Sequence, residues 1–468
     1  MKIKELIKHD AGFQYVIENM ELMSAAGRRR MLETAFMTDK ADLEDEWQRC
    51  AQAAAAMQDK ANAHSYNDLR HCLMQLHDLQ GTLASLATHS TLDEVELFEI
   101  KNLAFLTNKA RHAIDGMRLG QEMPLPDLTD VFHLLDPDRT GVVNFYIYDS
   151  YDARLTPLRR ELKALQEHGG EAGRISDLLT EQNEVQQEVC ARLSDALAAR
   201  HTALTTAMEQ MAYTDFLLAK ADLSLRWHLT RPTLSTRIRY RNLVNPRLRD
   251  RNGQLGLRYQ PVDIEAGDGV TLVTGANMAG KTVLLKSIGT AQLMAQCGLY
   301  APADEATTIL FDDVATSIGD DQDEMNGLSS YASEIIKIST ILRRCRHERL
   351  LVLIDEPART TNPVEGKALV QAIATLLQRQ PSVALITTHY SQLGLDCRRL
   401  RVRGFVEGMA DVPLNPQNIN RFIDYSLVED TSDTVPHEAL HIASILGCDD
   451  ELIALAKNNI NRQIPSTL

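Results

Sequence analysis

Residues 269–296 read GVTLVTGANMAGKTVLLKSIGTAQLMAQ, and within them Gly275, Gly280, Lys281 and Thr282 fall into the pattern G-x-x-x-x-G-K-[ST]. The two glycines let the backbone curl so that successive N–H groups point at phosphate oxygens from the start of a helix. Lys281 reaches the outer phosphates as a point charge, and the Thr282 hydroxyl is placed to ligate Mg²⁺. Around this loop the apolar GVTLVTG predicts a buried strand and KTVLLKSIGTAQLMAQ an amphipathic helix. A strand, a phosphate loop and a helix in that order predict nucleotide binding at the carboxyl end of a parallel sheet.

The chain of 468 residues exceeds the size at which one core keeps growing, so two or three domains are expected, and 44% apolar residues suffice to fill them. A net charge of −15 argues against wholesale coating of nucleic acid or of an anionic membrane. The seven cysteines are scattered, with no C-x-x-C pair, which predicts reduced thiols and no metal cluster. The start, MKIKELIKHD, lacks an apolar signal core, and no stretch is apolar enough to span a bilayer. A soluble cytoplasmic protein without a membrane partner is expected.

No proline precedes Pro124, and none occurs from Leu158 to Arg231, so both stretches predict long helices. In the second, Ile175, Leu178, Val185, Val189, Leu193, Leu197 and Leu204 recur at helical spacing, which predicts helices packed lengthwise with a turn at HGGEAG, residues 168–173. The irregular connection between the two helical blocks ends in VVNFYIY, a predicted short strand. From about residue 235 short β-rich runs (VTLVTG, TTILFDD, LLVLID, VALITTH) alternate with helical segments, the pattern of an α/β domain. The tail reads as two short helices joined at Gly447. The expected partition is a helical domain over 1–233, a P-loop ATPase domain over 234–425 and a C-terminal helical dimerisation segment over 426–468.

Further along, LLVLIDEPARTTNPVEG ends an apolar strand in Asp355 and Glu356. Such a pair suits hydrolysis: Asp355 holds the Mg²⁺ shell while Glu356 orients and deprotonates the attacking water. VALITTHY puts His389 at another strand end, where an imidazole reaches the γ-phosphate or the water. Between them, SIGDDQDEMNGLSSYASEIIKIST turns helical at Ser329 or Ser330, with Glu334 placed for capping interactions. A serine there is either a simple cap or a donor to a phosphate across a dimer interface.

The order of these motifs resembles the MutS family of ATPases, related to the ABC-type ATPases. The loop Gly275 to Thr282, with Asn277 and Met278 inside it, is similar to the family's phosphate loop. Ser329 to Glu334 resembles STFMVE, Asp355 to Gly366 resembles DEIGRGTSTYDG, and Thr388, His389 and Tyr390 match THY. More weakly, YDARLTPLR from Tyr151 resembles the start of a lever helix, and MELMSAAGRRRML the start of a core domain. The resemblance implies an α + α/β architecture in which a helical core and lever domain, like domain III of the family, precedes an ABC-type P-loop ATPase domain with a helical tail. It implies ATP and Mg²⁺ as ligands, nucleotide contacts from Gly275, Asn277, Met278, Gly280, Lys281 and Thr282, metal contacts from Thr282 and Asp355, and catalytic roles for Glu356 and His389. It also implies a homodimer, or pairing with a paralogous MutS-like subunit, in which Ser329 of one subunit completes the site of the other and nucleotide state moves the levers.

Against a full mismatch-repair member, the mismatch-reading, connector and clamp domains have no counterpart in these residues. Ala276, Ala279, Pro357 and Ala358 depart from the family's usual residues. Two functions compete. One is a DNA-binding ATPase that grips DNA without reading a mismatch, for which Arg226, Arg231, Arg237, Arg239, Arg241, Arg247, Arg249, Arg251 and Arg258 would supply phosphate contacts; the bland alternative is that these arginines pair with carboxylates. The other is a remodelling chaperone acting on a protein client, since the loop and DEPARTTNPVEG also resemble a MutS-related branch that reactivates the cobalamin-dependent lysine aminomutase.

Overall fold

The computed structural model describes residues 1–275, 280–319, 330–405, 422–430, 440, 443 and 448–463, and the chain divides into two compact units. One comprises Met1–Asn19, Ala35–Trp47 and Ser224–Leu468, the other Met20–Thr34 and Gln48–Leu223.

Two sheets organise the first unit. The strands are β1 (Thr233–Leu234), β2 (Ile238–Leu243), β3 (Val262–Ala266), β4 (Gly269–Thr274), β5 (Glu305–Thr308), β6 (Asp313–Ser317), β7 (Leu350–Ile354), β8 (Val383–Thr387), β9 (Arg398–Phe405) and β10 (Ile423–Glu429). Six of them run in the order β10-β9-β4-β8-β7-β6, parallel throughout except for antiparallel β10 at the edge. The others form a small mixed sheet in the order β1-β5-β2-β3. β4, β7 and β8 read as unbroken apolar runs because both of their faces are covered. Leu351, Leu353, Val383 and Leu385 pack with Leu285 and Ile288 of the helix Lys281–Gln296. Their alternates Leu350, Val352, Ile354, Ala384 and Ile386 pack with Ile338, Ile341, Val370 and Ile373 of the helices Ser330–Arg344 and Pro363–Gln378.

The helix Lys281–Gln296 departs from the amphipathic expectation, because every residue from Ser287 to Gln296 is buried. Its second face is covered by residues 1–19 and 35–47, which the sequence grouped with the helical domain but which pack in this unit. The Trp47 indole donates to Ala295 O (3.1 Å), and Gln296 Nε2 donates to Met37 O (2.7 Å). The buried glutamines also explain why TTILFDD splits. Gln292 Nε2 donates to Ile309 O (3.0 Å), and Gln296 exchanges hydrogen bonds with Phe311 N and Phe311 O (3.2 and 2.8 Å). Side chains thus take backbone groups that a strand would have used, and the stretch divides between β5, which ends at Thr308 in the small sheet, and β6, which begins at Asp313 in the six-stranded one. Of the predicted tail helices, Asp450–Gln463 is present; Gly447 lies outside the described residues.

The second unit is helical. Proline-free 1–123 holds two long helices, Lys40–Gln58 and Glu94–Gly116, among shorter ones such as Ala25–Glu33 and Ala63–Met74. Leu155–His168 packs against Ala172–Ala198 across a turn whose Gly169 is left-handed (φ 71°), with Gly170 N donating to Leu165 O at 2.7 Å. Leu178, Val185, Val189, Leu193, Leu197 and Leu204 are buried, the stripe that the spacing predicts; Ile175 is only partly covered.

VVNFYIY forms no strand. Its backbone oxygens serve side chains instead: Asn144 O accepts from Lys101 Nζ (3.0 Å) and Tyr148 Oη (3.2 Å), and Ile147 O accepts from Arg159 (2.8 Å). Lys101 is fully buried and pairs with buried Asp136 at 3.3 Å, its ammonium lying 5.4 Å from the centroids of both Phe132 and Tyr148. Among the described residues no helix is long and apolar enough to cross a membrane.

Removing one partner of a buried pair strands a charge, whereas replacing both leaves a packed apolar site. Asp136→Ala should therefore destabilise the helical unit by about 3–5 kcal/mol in urea unfolding, and the double variant Lys101→Met with Asp136→Leu should recover much of that loss. Equal losses in both would show that the aromatic packing, not the charge, holds this connection.

Candidate active site

Three parallel strands deliver the site. β4 leads into Gly275 and, after residues 276–279, into the helix that opens with Lys281; β8 leads into Thr388 and His389; β7 leads into Asp355 and Glu356. β8 lies between the other two, so the groups meet at one end of the sheet. Gly275 and Gly280 are both left-handed (φ 146° and 76°), conformations glycine adopts at no steric cost. Gly280 is constrained a second time, because a Cβ there would lie 2.9 Å from the Tyr425 ring.

Lys281 is 5% exposed. Its ammonium donates to Gly275 O at 2.7 Å and pairs with Glu356 Oε1 at 3.1 Å, the compensation a buried charge requires. Thr282 Oγ1 donates to Asp355 Oδ2 (2.7 Å), and Thr387 Oγ1 donates to Asp355 Oδ1 (2.6 Å). The same Thr387 receives Glu356 N–H on its hydroxyl (2.8 Å) and on its carbonyl (3.2 Å). Thr387 thus orients both members of the acidic pair. The sequence reading passed over it, although VALITTH carries two threonines at the strand end as the available signal.

The turn after β7 is strained. Glu356 and Ala358 are left-handed (φ 45° and 59°), which costs an L-residue about 1–2 kcal/mol each. Three contacts hold it. Glu334 Oε2 accepts from Ala358 N (3.3 Å), Tyr390 Oη donates to Ala358 O (3.4 Å), and Arg359 lies 3.7 Å from Glu356 Oε2. Glu334, expected to take part in capping, therefore ties its helix to the acidic turn. Ser330 begins that helix; Asn277, Met278 and Ser329 lie outside the described residues.

His389 stacks beside Tyr390 with ring centroids 4.3 Å apart. Burial holds its pKa below the ordinary 6.5; Lys281 and Arg359 push the same way, and only the Glu356 carboxylate pulls upward. The imidazole is therefore neutral near pH 7 and has one N–H to donate.

Beside the charged groups opens a cavity of about 280 Å³, lined by Tyr259, Val262, Gly280, Val283, Tyr425 and Leu427 among others. Gln260 donates to Asp424 Oδ1 (2.8 Å) and accepts from Tyr425 N (3.2 Å), which ties the two tyrosine-bearing segments together. The cavity went unread in the sequence because its two walls are far apart along the chain and share no spacing pattern.

Several of the arginines at 226–258 are already paired. Arg237 meets Glu265 (2.8 Å), Arg241 meets Asp263 (2.7 Å), Arg239 meets Glu305 (3.8 Å) and Arg249 meets Asp250 (3.0 Å). β2 alternates buried Ile238 and Tyr240 with exposed Arg239 and Arg241, and its neighbours β3 and β5 supply three of the four carboxylates.

A family model of MutS domain V matches residues 271–463. The Endonuclease MutS2 of Agathobacter rectalis is 31% identical over 300 residues, 61% of this chain and 35% of that protein. The Endonuclease MutS2 of Caldanaerobacter subterraneus subsp. tengcongensis is 37% identical over 220 residues, 46% of this chain and 27% of its own. The DNA mismatch repair protein MutS of Thermus thermophilus is 33% identical over 235 residues, 50% of this chain and 28% of its own. The chain thus spans about a third of the length of these relatives.

The depressed pKa of His389 has a sign that can be checked. The unfolded chain takes up this proton before the folded one, so the contribution of His389 to stability is complete above 6.5 and is lost as pH falls through the folded pKa. An NMR titration of the His389 ring should give a midpoint below 6.5, and His389→Gln should flatten the fall in melting temperature on acidification. A midpoint at or above 6.5 would contradict the burial argument.

Proposed function

Through residues 271–463 the chain belongs to the MutS family, and we propose that it is a dimeric, Mg²⁺-dependent ATPase that couples ATP binding and hydrolysis to lever movement. The observation that carries the ATPase reading is the meeting of Lys281 with Glu356 at 3.1 Å and of Thr282 with Asp355 at 2.7 Å; the dimer and the lever movement follow from the family resemblance. A phosphate-binding lysine, a hydroxyl and two carboxylates stand within one triphosphate's reach.

The donor set fits Mg²⁺. Thr282 Oγ1 and Asp355 Oδ2 are hard oxygen donors side by side, and the described residues offer no cluster of three or more His, Cys, Asp or Glu. A cation with few protein ligands, which keeps its waters and phosphate oxygens, suits that arrangement. When bound, Mg²⁺ would neutralise charge on the β- and γ-phosphate oxygens. Lys281 exchanges its Gly275 carbonyl for a phosphate oxygen. Glu356, held by its backbone bond to Thr387, accepts a proton from the water that attacks the γ-phosphorus, while the bond from that phosphorus to the β-phosphate oxygen breaks to leave ADP and phosphate. Neutral His389 donates to a γ-phosphate oxygen or to that water. The base stacks in the cavity between Tyr259 and Tyr425, and Ser329 of a second subunit, identical or paralogous, closes the site.

For the work driven, the relatives, a DNA mismatch repair protein and endonucleases, support an ATPase that grips DNA; that it does so without reading a mismatch rests on the sequence, in which the mismatch-reading domain has no counterpart. One observation favours a protein client, such as a cobalamin-dependent aminomutase. Arg237, Arg239, Arg241 and Arg249 face carboxylates and would have to leave them to contact phosphates.

Glu356→Gln should bind ATP normally and hydrolyse it about 10²- to 10⁴-fold more slowly, and Lys281→Ala should lose nucleotide binding; wild-type turnover in the first or wild-type affinity in the second would remove those assignments. Fluorescence anisotropy of duplex, mismatched and branched DNA, with and without a non-hydrolysable ATP analogue across a salt series, separates the two kinds of work. Nucleotide-dependent binding with a steep salt slope supports DNA, and no binding at low salt supports the protein client.

A further inference from the structure

The short helix Ala11–Glu18 packs against the helices Pro246–Gln254 and Lys281–Gln296, both of which carry residues that line the cavity. At its start Asp10 caps it by accepting from Phe13 N (2.6 Å), and the same carboxylate oxygen accepts from Thr290 Oγ1 (3.0 Å). Thr290 is fully buried in the helix Lys281–Gln296. The approach is close enough that a Cβ on Gly12 would collide with the Thr290 hydroxyl. One residue earlier, a Cβ on Gly289 would lie 3.1 Å from Leu353 and 3.7 Å from Asp10. The phosphate-loop helix thus meets Gly12 with no room for a methyl group there, and on its other side packs closely on Leu353 of β7.

At mid-helix, Tyr15 makes the second attachment. Its hydroxyl donates to Asp250 Oδ2 (2.9 Å), and its ring stacks on Trp227, with centroids 6.1 Å apart and planes 20° apart. The Arg249 guanidinium covers the same indole at 5.7 Å. Arg249 and Asp250 belong to the helix Pro246–Gln254, whose Leu248 and Asn252 line the same cavity as Val283, Leu284 and Ser287 of the phosphate-loop helix.

We propose that Asp10 and Tyr15 are positioning residues for nucleotide binding, and that the helix Ala11–Glu18 is a brace that sets the distance between the two cavity walls. Neither side chain lines the cavity or touches the charged cluster, so each acts through the helix it holds. Loosening either attachment lets the walls relax in the free protein, and binding must then pull them back. The carboxylates, Thr387 and His389 keep their places on the strand ends, so chemistry in the filled site proceeds as before.

This proposal rests on the ATPase reading, and the test separates the two. The full chain is titrated with N-methylanthraniloyl-ATP and Mg²⁺, and kcat, KM and melting temperature are measured for the wild type, Tyr15→Phe, Thr290→Val, Thr290→Ser and Tyr15→Phe with Thr290→Val. Tyr15→Phe and Thr290→Val should each raise Kd and KM about two- to tenfold, the loss of one hydrogen bond, with kcat within about twofold of wild type; Thr290→Ser, which keeps the hydroxyl, should restore wild-type affinity. A melting temperature that falls while Kd stays unchanged would reduce the brace to a stability element and overturn the proposal, as would a drop in kcat with Kd unchanged. Failure of the wild-type chain to bind the probe would overturn the ATPase reading itself and the brace with it.

Discussion

A lysine ammonium that is 5% exposed has to be paired, because an isolated buried charge is among the most expensive things a fold can contain. Lys281 finds one partner at the end of β4, in Gly275 O, and the other beyond the end of β7, in Glu356. β8 separates those strands, so the pairing works only if all three are parallel and end in step. They do, with Val270 opposite Ala384 and Ala384 opposite Val352. Both faces of these strands are buried, so burial alone does not choose among registers. A slip of one residue would carry Asp355 away from Thr282 and Glu356 away from Lys281, and Thr387 fastens the observed register from the middle strand.

What was legible in the sequence is what short-range chemistry dictates. The loop from Gly275 to Thr282, the apolar strands ending at Asp355 and Thr388, and the turn at Gly169 each follow from a few adjacent residues. What escaped depends on partners far along the chain. LeuLeuValLeuIle-type runs remain strands whatever surrounds them, but TTILFDD is broken by glutamines of a helix that precedes it, and VVNFYIY is held open by Lys101 and Arg159. The polar face ascribed to the helix Lys281–Gln296 became interior once residues 1–19 and 35–47 covered it. No periodicity within the helix could announce that.

Strain at the acidic turn follows from the same geometry. Pro357 fixes one φ, and on either side Glu356 and Ala358 are left-handed. Backbone strain persists where surrounding structure over-determines it, and here Glu334, Tyr390 and Thr387 hold that short turn from three sides. On the proposed ATPase reading, a carboxylate kept in place before the nucleotide arrives would lose little freedom when used, which is how preorganised groups contribute to catalysis. The residues after the acidic pair differ from the usual family ones, yet the surrounding contacts impose on Ala358 the backbone conformation that glycine adopts without penalty.

The arginines show the opposite relation between sequence and structure. Counted along the chain, the nine from 226 to 258 suggest a basic surface, and counted with their neighbours four of them already face carboxylates. β2 carries Arg239 and Arg241 outward while β3 carries Asp263 and Glu265 beside them. Adjacent antiparallel strands bring such residues to one face by register alone, so the charge cancels locally. Exposed pairs of this kind contribute only about 0–1 kcal/mol each and yield readily to a stronger anion. A phosphate backbone that recruits them competes with carboxylates already in register and gives up that small gain at each pair. Charge pairing on the small sheet, rather than the number of arginines, is thus the feature against which any DNA track on this face has to be weighed.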